Sequence, residues 1–279
     1  MAYENIIVEN DGPACVITLN RPESRNAFSV ATMAEVLAAA QVAEADDAIF
    51  GVIVTGGEKY FASGADLNEA LALSGPKSVV DYMKNWEQLL RGLEELEIPV
   101  IAAIEGFCMT GGAEFVLACD MRVGAEGSSY AITSAKIGTV AGAGGTQRLP
   151  RLVGIGNALE IMLMADPIPA DEAYRIGLIN KLTPKGGALA KSKEMVGVLA
   201  QRAPLSLAWV KRVVYNGMQM DLRSAIDYER FVVTSIYQSA DRKEGIGAFL
   251  EKRQAEFKGE YSSMSSENKM SPEFVLSGI

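Results

Sequence analysis

Apolar and polar positions along the first two thirds of the chain fall into short blocks that predict strands and helices in turn. Ile6 to Val8 and Ala14 to Leu19 flank Asn10-Asp11-Gly12-Pro13, a pattern typical of a β-hairpin. Short continuous apolar runs predict buried strands. These runs are Val52 to Val54, Val100 to Ile104, Met121 to Val123 and Leu178 to Leu182.

Between these strands the apolar spacing changes to that of helices. Ser29 is a candidate N-cap for a helix that carries Met33, Val36 and Ala40 on one face. A long amphipathic helix runs from Val79 to Leu93 and is ended by Pro99. Because strands and helices alternate, we predict an α/β core with an at least partly parallel sheet.

The pattern becomes helical from about Pro204 onward, with few strand signals. Helices are predicted at Leu205 to Tyr215, Ala225 to Tyr237 and Lys243 to Phe257. We therefore divide the chain into a core at residues 1–203, a C-terminal helical layer at 204–258 and a tail at 259–279, which is rich in Ser, Asn and Met and which we expect to be flexible.

The composition limits the kinds of binding partner and the cellular compartment that we expect for this protein. With 26 basic and 35 acidic side chains among 279 residues, the net charge of −9 provides no general attraction for nucleic acid or for an anionic membrane. Three cysteines are too few for a disulfide scaffold, and neither a signal peptide nor an 18-residue apolar run is seen. We expect a cytoplasmic protein that binds neither nucleic acid nor membrane.

The chain contains no histidine. This excludes a Ser-His-Asp or Cys-His relay, an imidazole general base and any His-ligated metal. We expect no metal site. Proton transfer must use a carboxylate, tyrosine, lysine, cysteine or water.

Two glycine-rich turns surround one acid. Gly111-Gly112 precedes a helical run that carries Glu114, and Gly142-Ala143-Gly144-Gly145 follows further along. Glycines let backbone N–H groups approach a ligand closely, and a helix N-terminus adds partial positive charge for a developing oxyanion. Glu114 within an apolar run is either a helix-start residue favoured by the dipole or a catalytic carboxylate.

An ordered set of motifs resembles the enoyl-CoA hydratase/isomerase (crotonase) family across roughly residues 4 to 258. The resemblance implies a β-β-α spiral core, a C-terminal helical trimerisation layer, an acyl-CoA thioester ligand and a homo-oligomer, either a trimer or a dimer of trimers. The motifs are Asn20-Arg21-Pro22 with Asn26-Ala27, Phe61-Ala62-Ser63-Gly64-Ala65-Asp66-Leu67, Gly111-Gly112-Ala113-Glu114, Ala118-Cys119-Asp120 and Gly142 to Leu149.

The resemblance also implies roles for individual residues. The matching backbone amides of Ala65 and Gly111 would hold the thioester oxygen and stabilise an enolate; a plain strand-to-helix turn is the alternative reading at Gly64-Ala65. CoA is expected as part of the substrate, with no separate cofactor. The residues that would bind CoA or substrate are Arg25, Ala27, Ser63, Asp66, Leu67 and Asn68, with Lys252 and Phe257 completing the pocket from a neighbouring subunit.

The sequence departs from the family pattern at the second of two catalytic glutamates. Glu114 matches the first, whereas Ser134 stands at the second position, and no acid occurs between Gly127 and Pro150. A positioned general acid or base contributes about 10²- to 10⁴-fold to a rate. Ser134 is therefore either a residue that orients water or substrate, or an ordinary core serine.

Three functions remain open. The first, which we favour, is hydration of a 2-enoyl-CoA with Glu114 positioning water. The second is other enolate chemistry on an acyl-CoA, namely double-bond isomerisation or decarboxylation, for which one acid or a pocket lined by the Thr133 and Ser134 hydroxyls would suffice. The third is a non-catalytic CoA-ester binding protein, which a carboxylate beside the thioester disfavours. The acyl group itself is not determined by the sequence.

Overall fold

A computed structural model describes residues 3–261 of the chain. These residues form part of two compact units, Met1–Ala200 and Gln201–Ile279. The first unit contains every strand, and the second unit is helical apart from one isolated bridge between Ser239 and Tyr261, within the described range. The predicted α/β class and the C-terminal helices are confirmed.

Ten strands of the first unit form two sheets. They are β1 (Ile6–Asp11), β2 (Ala14–Leu19), β3 (Gly51–Thr55), β4 (Tyr60–Ala62), β5 (Val100–Ile104), β6 (Phe107–Met109), β7 (Met121–Ala125), β8 (Ser129–Ala131), β9 (Ile168–Pro169) and β10 (Lys181–Thr183). The larger sheet has the order β1-β2-β3-β5-β7-β10, and the smaller has the order β4-β6-β8-β9. Only the β1–β2 and β8–β9 pairs are antiparallel, so the core sheet is largely parallel, as predicted.

Eleven α-helices complete the described fold. The first unit holds α1 (Val30–Glu44), α2 (Leu67–Ala72), α3 (Gly75–Glu95), α4 (Gly111–Leu117), α5 (Gly145–Val153), α6 (Ile155–Met164), α7 (Ala170–Arg175) and α8 (Ala188–Leu199). The second unit holds α9 (Pro204–Gly217), α10 (Leu222–Ile236) and α11 (Ala240–Glu251). Among the described residues no helix is both long enough and apolar enough to cross a membrane.

The two sheets are linked strand by strand. Each of β3, β5 and β7 in the larger sheet is followed at once by β4, β6 or β8 in the smaller sheet. The link between β5 and β6 requires Gly106, with a φ of 58°, because a Cβ there would lie 1.9 Å from the Lys59 carbonyl oxygen. Repetition of this strand–strand unit, with α2 after β4 and α4 after β6, forms a β-β-α spiral.

Local sequence patterns correctly predicted the positions of several secondary-structure elements. The hairpin β1–β2 closes at Gly12, whose φ is 56°. Ser29 caps α1, since its hydroxyl oxygen accepts the Thr32 N–H at 3.1 Å. The long helix α3 buries Trp86, Leu89, Leu90 and Leu93, which pack into the main core.

Two boundaries predicted from apolar runs are wrong. The strand expected at Leu178 to Leu182 begins only at Lys181, because the N–H groups of Leu178 and Ile179 bind the Ala173 carbonyl at the end of α7. The helix expected at Lys243 to Phe257 ends at Glu251. Lys252 takes a left-handed φ of 57°, which stops the helix there.

The predicted tail is described only at its start. Gly259 donates its N–H to Asp241 at 2.9 Å, and the Tyr261 hydroxyl accepts the Trp209 indole N–H at 2.9 Å. These contacts tie residues 259–261 to α9 and α11 within the second unit. Residues 262–279 of the predicted tail lie outside the described residues.

Candidate active site

Two backbone N–H groups lie side by side beyond the ends of β4 and β6, neighbouring strands of the smaller sheet. Ala65 follows β4, and Gly111 opens α4. A Cβ built on Gly111 would lie 2.9 Å from the Ala65 nitrogen and 3.0 Å from the Trp86 ring, so only glycine fits here. Within residues 3–261, neither N–H donates a hydrogen bond. Two adjacent, unused donors form a site suited to a developing negative charge on oxygen.

The chain around Ala65 explains why its N–H is unused. Phe28 donates its N–H to the Gly64 carbonyl at 2.8 Å and accepts the Asp66 N–H at 2.9 Å. This parallel bridge uses the groups on either side of the Ala65 nitrogen and leaves that nitrogen out. The Phe28 ring is fully buried between Trp86 and Phe115, which fixes the loop.

Glu114 is buried beside these donors, one turn into α4. Its side chain is held by a 2.9 Å hydrogen bond from the Gly145 N–H to Oε1. Burial raises the pKa of Glu114 to about 7, against the opposing effects of the Gly145 and Ala143 N–H groups and of Arg148. Such a carboxylate can accept and return a proton near neutral pH.

The second glycine-rich turn packs directly against the Glu114 side chain. A Cβ on Gly145 would lie 2.9 Å from both Cγ and Oε1 of Glu114, so glycine is required for this contact. Arg148, one turn further along α5, forms an ion pair with Glu94 at 2.6 Å. Sequence reasoning did not single out Arg148, although it lies within the Gly142 to Leu149 motif.

Ser134 is buried but its hydroxyl makes no hydrogen bond to any residue in the described range. It is the first residue of a 3-10 turn, Ser134–Ile137, and its carbonyl accepts the Thr139 N–H at 3.1 Å. The structure shows no carboxylate in its place: the nearest charged pair along this segment, Lys136 with Asp166, is exposed.

Thr110 was not predicted as a site residue, and Thr133 was considered only as a pocket hydroxyl for the isomerisation or decarboxylation alternative. Their hydroxyl oxygens are 2.7 Å apart, and Thr110 has a φ of 44° and a ψ of −110° immediately before Gly111. A β-branched residue rarely adopts a positive φ, at a cost of about 1–3 kcal/mol. Composition and periodicity give no signal of such a backbone conformation.

Three of the predicted CoA-binding residues meet in one loop cluster. Arg25 is exposed, has a φ of 53° and accepts the Ser63 N–H at its carbonyl, 3.0 Å away. The Ser63 hydroxyl donates to Ser24 at 3.0 Å. The Ala27 carbonyl accepts from the Arg21 guanidinium at 2.6 Å.

Asp66, Leu67 and Asn68 lie at the N-terminus of α2, directly after the Ala65 donor. Asp66 caps the helix by accepting the Asn68 N–H at 3.0 Å and pairs with Arg21 at 2.9 Å. Burial acts to raise the pKa of Asp66, but the hydrogen bonds from Arg21 and Asn68 outweigh it, so that pKa is lowered. Leu67 is exposed. Arg21, unassigned from the sequence, links this helix to the Arg25 loop.

Lys252 and Phe257 lie in the second unit. Lys252 ends α11, and the Phe257 ring lies 3.2 Å from the position of a Cβ on Gly245. Their predicted place in a CoA pocket formed with a neighbouring subunit stays a prediction.

Comparison with known proteins accounts for this arrangement. The sequence profile described as enoyl-CoA hydratase/isomerase matches residues 9–260. The chain belongs to the enoyl-CoA hydratase/isomerase family. It is 38% identical to the crotonyl-CoA hydratase of Syntrophomonas wolfei over 258 residues, covering 92% of this chain and 99% of that protein. It is 36% identical to the short-chain-enoyl-CoA hydratase of Clostridium acetobutylicum, with 92% and 98% covered.

Solved structures of similar proteins confirm the crotonase fold of this family member. The enoyl-CoA hydratase of Bacillus anthracis has a TM-score of 0.87 at 35% identity, with 92% of this chain and all of that chain covered. Pseudomonas aeruginosa DspI has the same TM-score at 29% identity, with 92% and 98% covered. The family is one of enzymes, and the Syntrophomonas, Clostridium and Bacillus proteins are named as hydratases.

Proposed function

We propose that this protein hydrates a 2-enoyl-CoA thioester with Glu114 as its only catalytic carboxylate. The proposal depends on one observation: a buried carboxylate, Glu114, has a pKa raised to about 7 and lies near two N–H groups, those of Ala65 and Gly111. Neither N–H donates a hydrogen bond within residues 3–261. The printed names of two relatives, crotonyl-CoA hydratase and short-chain-enoyl-CoA hydratase, support hydration over other chemistry.

In the proposed mechanism the thioester carbonyl oxygen accepts hydrogen bonds from the Ala65 and Gly111 N–H groups. Water attacks the β-carbon, its oxygen forms the new C–O bond, and Glu114 takes one of its protons. The electron pair of the C=C bond moves into an enolate whose charge lies on the carbonyl oxygen. Glu114 then returns the proton to the α-carbon. The two N–H groups stabilise the enolate by a few kcal/mol.

Substrate binding involves the residues around the first donor. Arg25 supplies an exposed positive charge for a CoA phosphate, and Ala27, Ser63 and the Asp66 to Asn68 segment shape the loop beside it. Ser134 is proposed to orient the water or a substrate group through its free hydroxyl. The reaction as written uses no metal and no redox cofactor, because CoA arrives as part of the substrate.

Assembly forms part of the proposal. The second unit exposes apolar side chains on each of its three helices, among them Val210, Phe231 and Phe249. Such faces are typical of surfaces that another chain covers. We propose a homo-oligomer, either a trimer or a dimer of trimers, in which Lys252 and Phe257 complete the CoA site of a neighbouring subunit.

The missing second acid favours one alternative, namely isomerisation or decarboxylation, since decarboxylation generates the enolate without an initial proton abstraction. A panel of saturated, 2-enoyl, 3-enoyl and malonyl-type CoA esters separates these reactions by product mass. A gain of one water on a 2-enoyl ester supports hydration. Double-bond migration or loss of CO₂ selects the alternative, and binding without turnover on every ester leaves a non-catalytic binding protein.

Glu114→Gln tests the proposed role of the carboxylate. The amide keeps an acceptor for the Gly145 N–H but cannot take a proton. We expect acyl-CoA binding close to that of the wild type and turnover lower by about 10²- to 10⁴-fold. Unchanged turnover would overturn the assignment. Glu87→Gln, an exposed substitution on α3, is the matched control and should leave both quantities unchanged.

Ser134→Glu tests whether a carboxylate at the family's second acid position increases hydratase activity. A large gain in hydration of crotonyl-CoA would show that the site remains a hydratase that lacks only this group. Loss of activity on the protein's best substrate, without such a gain, would show that Ser134 suits a different acyl group. Ser134→Ala serves as the control for the loss of the hydroxyl alone.

A further inference from the structure

Thr110 and Thr133 lie where the geometry of the proposed oxyanion hole is set. Thr110 precedes Gly111, and the Gly111 N–H belongs to the same peptide group as the Thr110 carbonyl. In a trans peptide these two groups point in opposite directions. The Thr110 carbonyl accepts the Glu114 N–H at 2.8 Å, so the Gly111 N–H points away from α4. The backbone conformation of Thr110 therefore aims this donor.

That conformation is unfavourable for threonine and is held from several sides. The Thr110 N–H donates to the Ala131 carbonyl in β8 at 2.7 Å. Its Cβ lies beside Gly64, the residue before Ala65. Its hydroxyl oxygen accepts the Thr133 N–H at 3.3 Å and lies 2.7 Å from the Thr133 hydroxyl oxygen. Without the side-chain contacts, rotation toward a negative φ would redirect the Gly111 N–H.

Thr133 also reaches the other half of the site. It stands at the N-cap position of the 3-10 turn that Ser134 opens, and its carbonyl accepts the Lys136 N–H at 3.0 Å. The same hydroxyl pair thus joins the Gly111 donor to the segment where the family pattern places its second acid. Neither Thr110 nor Thr133 needs to touch the substrate for this role.

We propose that the Thr110–Thr133 hydroxyl pair positions the Gly111 N–H for the thioester oxygen, and holds the Ser134 turn in register with it. Both are positioning residues. The inference rests on the proposed role of Gly111 as an oxyanion donor, but not on which reaction follows.

Binding of acetoacetyl-CoA tests this without turnover, because its enolate absorbs in the near ultraviolet and is favoured by oxyanion donors. The wild type should bind it with an enolate band; absence of the band in the wild type counts against the proposed donors and against the inference that depends on them. Failure of wild-type hydration with the band present counts against the proposed reaction alone.

Thr110→Val removes the hydroxyl and keeps the β-branched shape. We expect the bound enolate fraction to fall at least about tenfold, with a similar fall in kcat and a smaller change in KM. Thr133→Val should act in the same way, and the double variant should be little worse than either single one because the two hydroxyls act as a pair. Thr110→Ser keeps the hydroxyl and should stay within about threefold of the wild type.

Thr234→Val is the matched control, since the Thr234 hydroxyl bonds only within α10. An enolate band unchanged in Thr110→Val or in Thr133→Val overturns the proposal, as does loss of the band in Thr110→Ser. If Thr110→Val does not fold, Thr133→Val and Thr110→Gly replace it in the test. Glycine adopts a φ of 44° without strain, so Thr110→Gly removes only the side chain.

Discussion

At the scale of the single residue, Glu114 has the protonation behaviour that the proposed chemistry needs. Its pKa is raised from 4.5 to about 7 because burial disfavours the charged form more than the Gly145 and Ala143 N–H groups and Arg148 favour it. The carboxylate must be ionised to take a proton from water. The protonation of this one group should therefore control the acid side of the pH profile.

We predict that kcat/KM for the 2-enoyl ester reaches a plateau above about pH 7 and falls about tenfold per pH unit below it. Initial rates between pH 5 and 9 measure this. A break near 4.5, the ordinary value for glutamate, would contradict the raised pKa. Glu114→Gln provides the control, because its residual rate should lack the break.

The same pKa affects stability. A folded pKa raised above the unfolded one means that the native state binds more protons between the two values, so its free energy of unfolding falls as pH rises from about 4.5 toward 7. Glu114→Gln removes this effect and should gain about 1–3 kcal/mol over the wild type on going from pH 5 to pH 8. Urea unfolding at both values measures the gain, and an equal difference at both would contradict it.

At the scale of the element, a buried carboxylate fixes the start of α8. Glu105 follows β5, and its two carboxylate oxygens accept the N–H groups of Gly186 and Ala188, each at 3.1 Å. The contact spans about eighty residues of sequence and satisfies donors at the helix N-terminus that no helical carbonyl can reach. It thus joins α8 to the sheet against which Ala188 and Val196 pack.

We predict that Glu105→Ala lowers the free energy of unfolding by about 1–3 kcal/mol, since the buried Ala188 N–H and the part-buried Gly186 N–H lose their acceptor. Glu194→Ala on the same helix is the control, because Glu194 is an exposed partner of Lys191 and such pairs contribute about 0–1 kcal/mol. Urea unfolding of both variants makes the comparison. Equal losses would mean that the Glu105 contact contributes no more than a surface pair.

At the scale of the whole molecule, the outstanding question is assembly. The second unit presents exposed apolar side chains on each helix, including Val214 on α9, Val233 on α10 and Phe249 on α11. Scattered apolar residues are ordinary on a surface, but three helices bearing them within one small unit favour coverage by another chain.

Light scattering after size exclusion should give three or six times the monomer mass. Phe249→Asp, at the most exposed phenylalanine of the described second unit, should shift the mass toward the monomer if this face forms the contact. Gln219→Asp adds the same charge at an exposed polar position and should not. A wild-type monomer would contradict the proposed assembly and the shared CoA site.

The amino-acid sequence was enough to predict the alternation of strands and helices, the hairpin, the Ser29 cap and the family, because these depend on local periodicity, capping chemistry and an ordered set of motifs. It also identified Glu114 and the lack of an acid at Ser134, since both are matters of residue identity. It failed at Leu178 to Leu182, where N–H groups bind the preceding Ala173 carbonyl, and beyond Glu251, where Lys252 takes a left-handed φ.

Which functional groups lie close together in space follows from the tertiary structure and not from the local sequence. It brought the free N–H groups of Ala65 and Gly111 together, sealed Glu114 from water and so raised its pKa, and joined Thr110 to Thr133 across 23 residues of sequence. The pKa of a group depends on its burial and on the dipoles around it. Whether an N–H is free to donate depends on whether an acceptor lies next to it in the fold. These are properties of distances between residues far apart in the chain, which no local pattern contains.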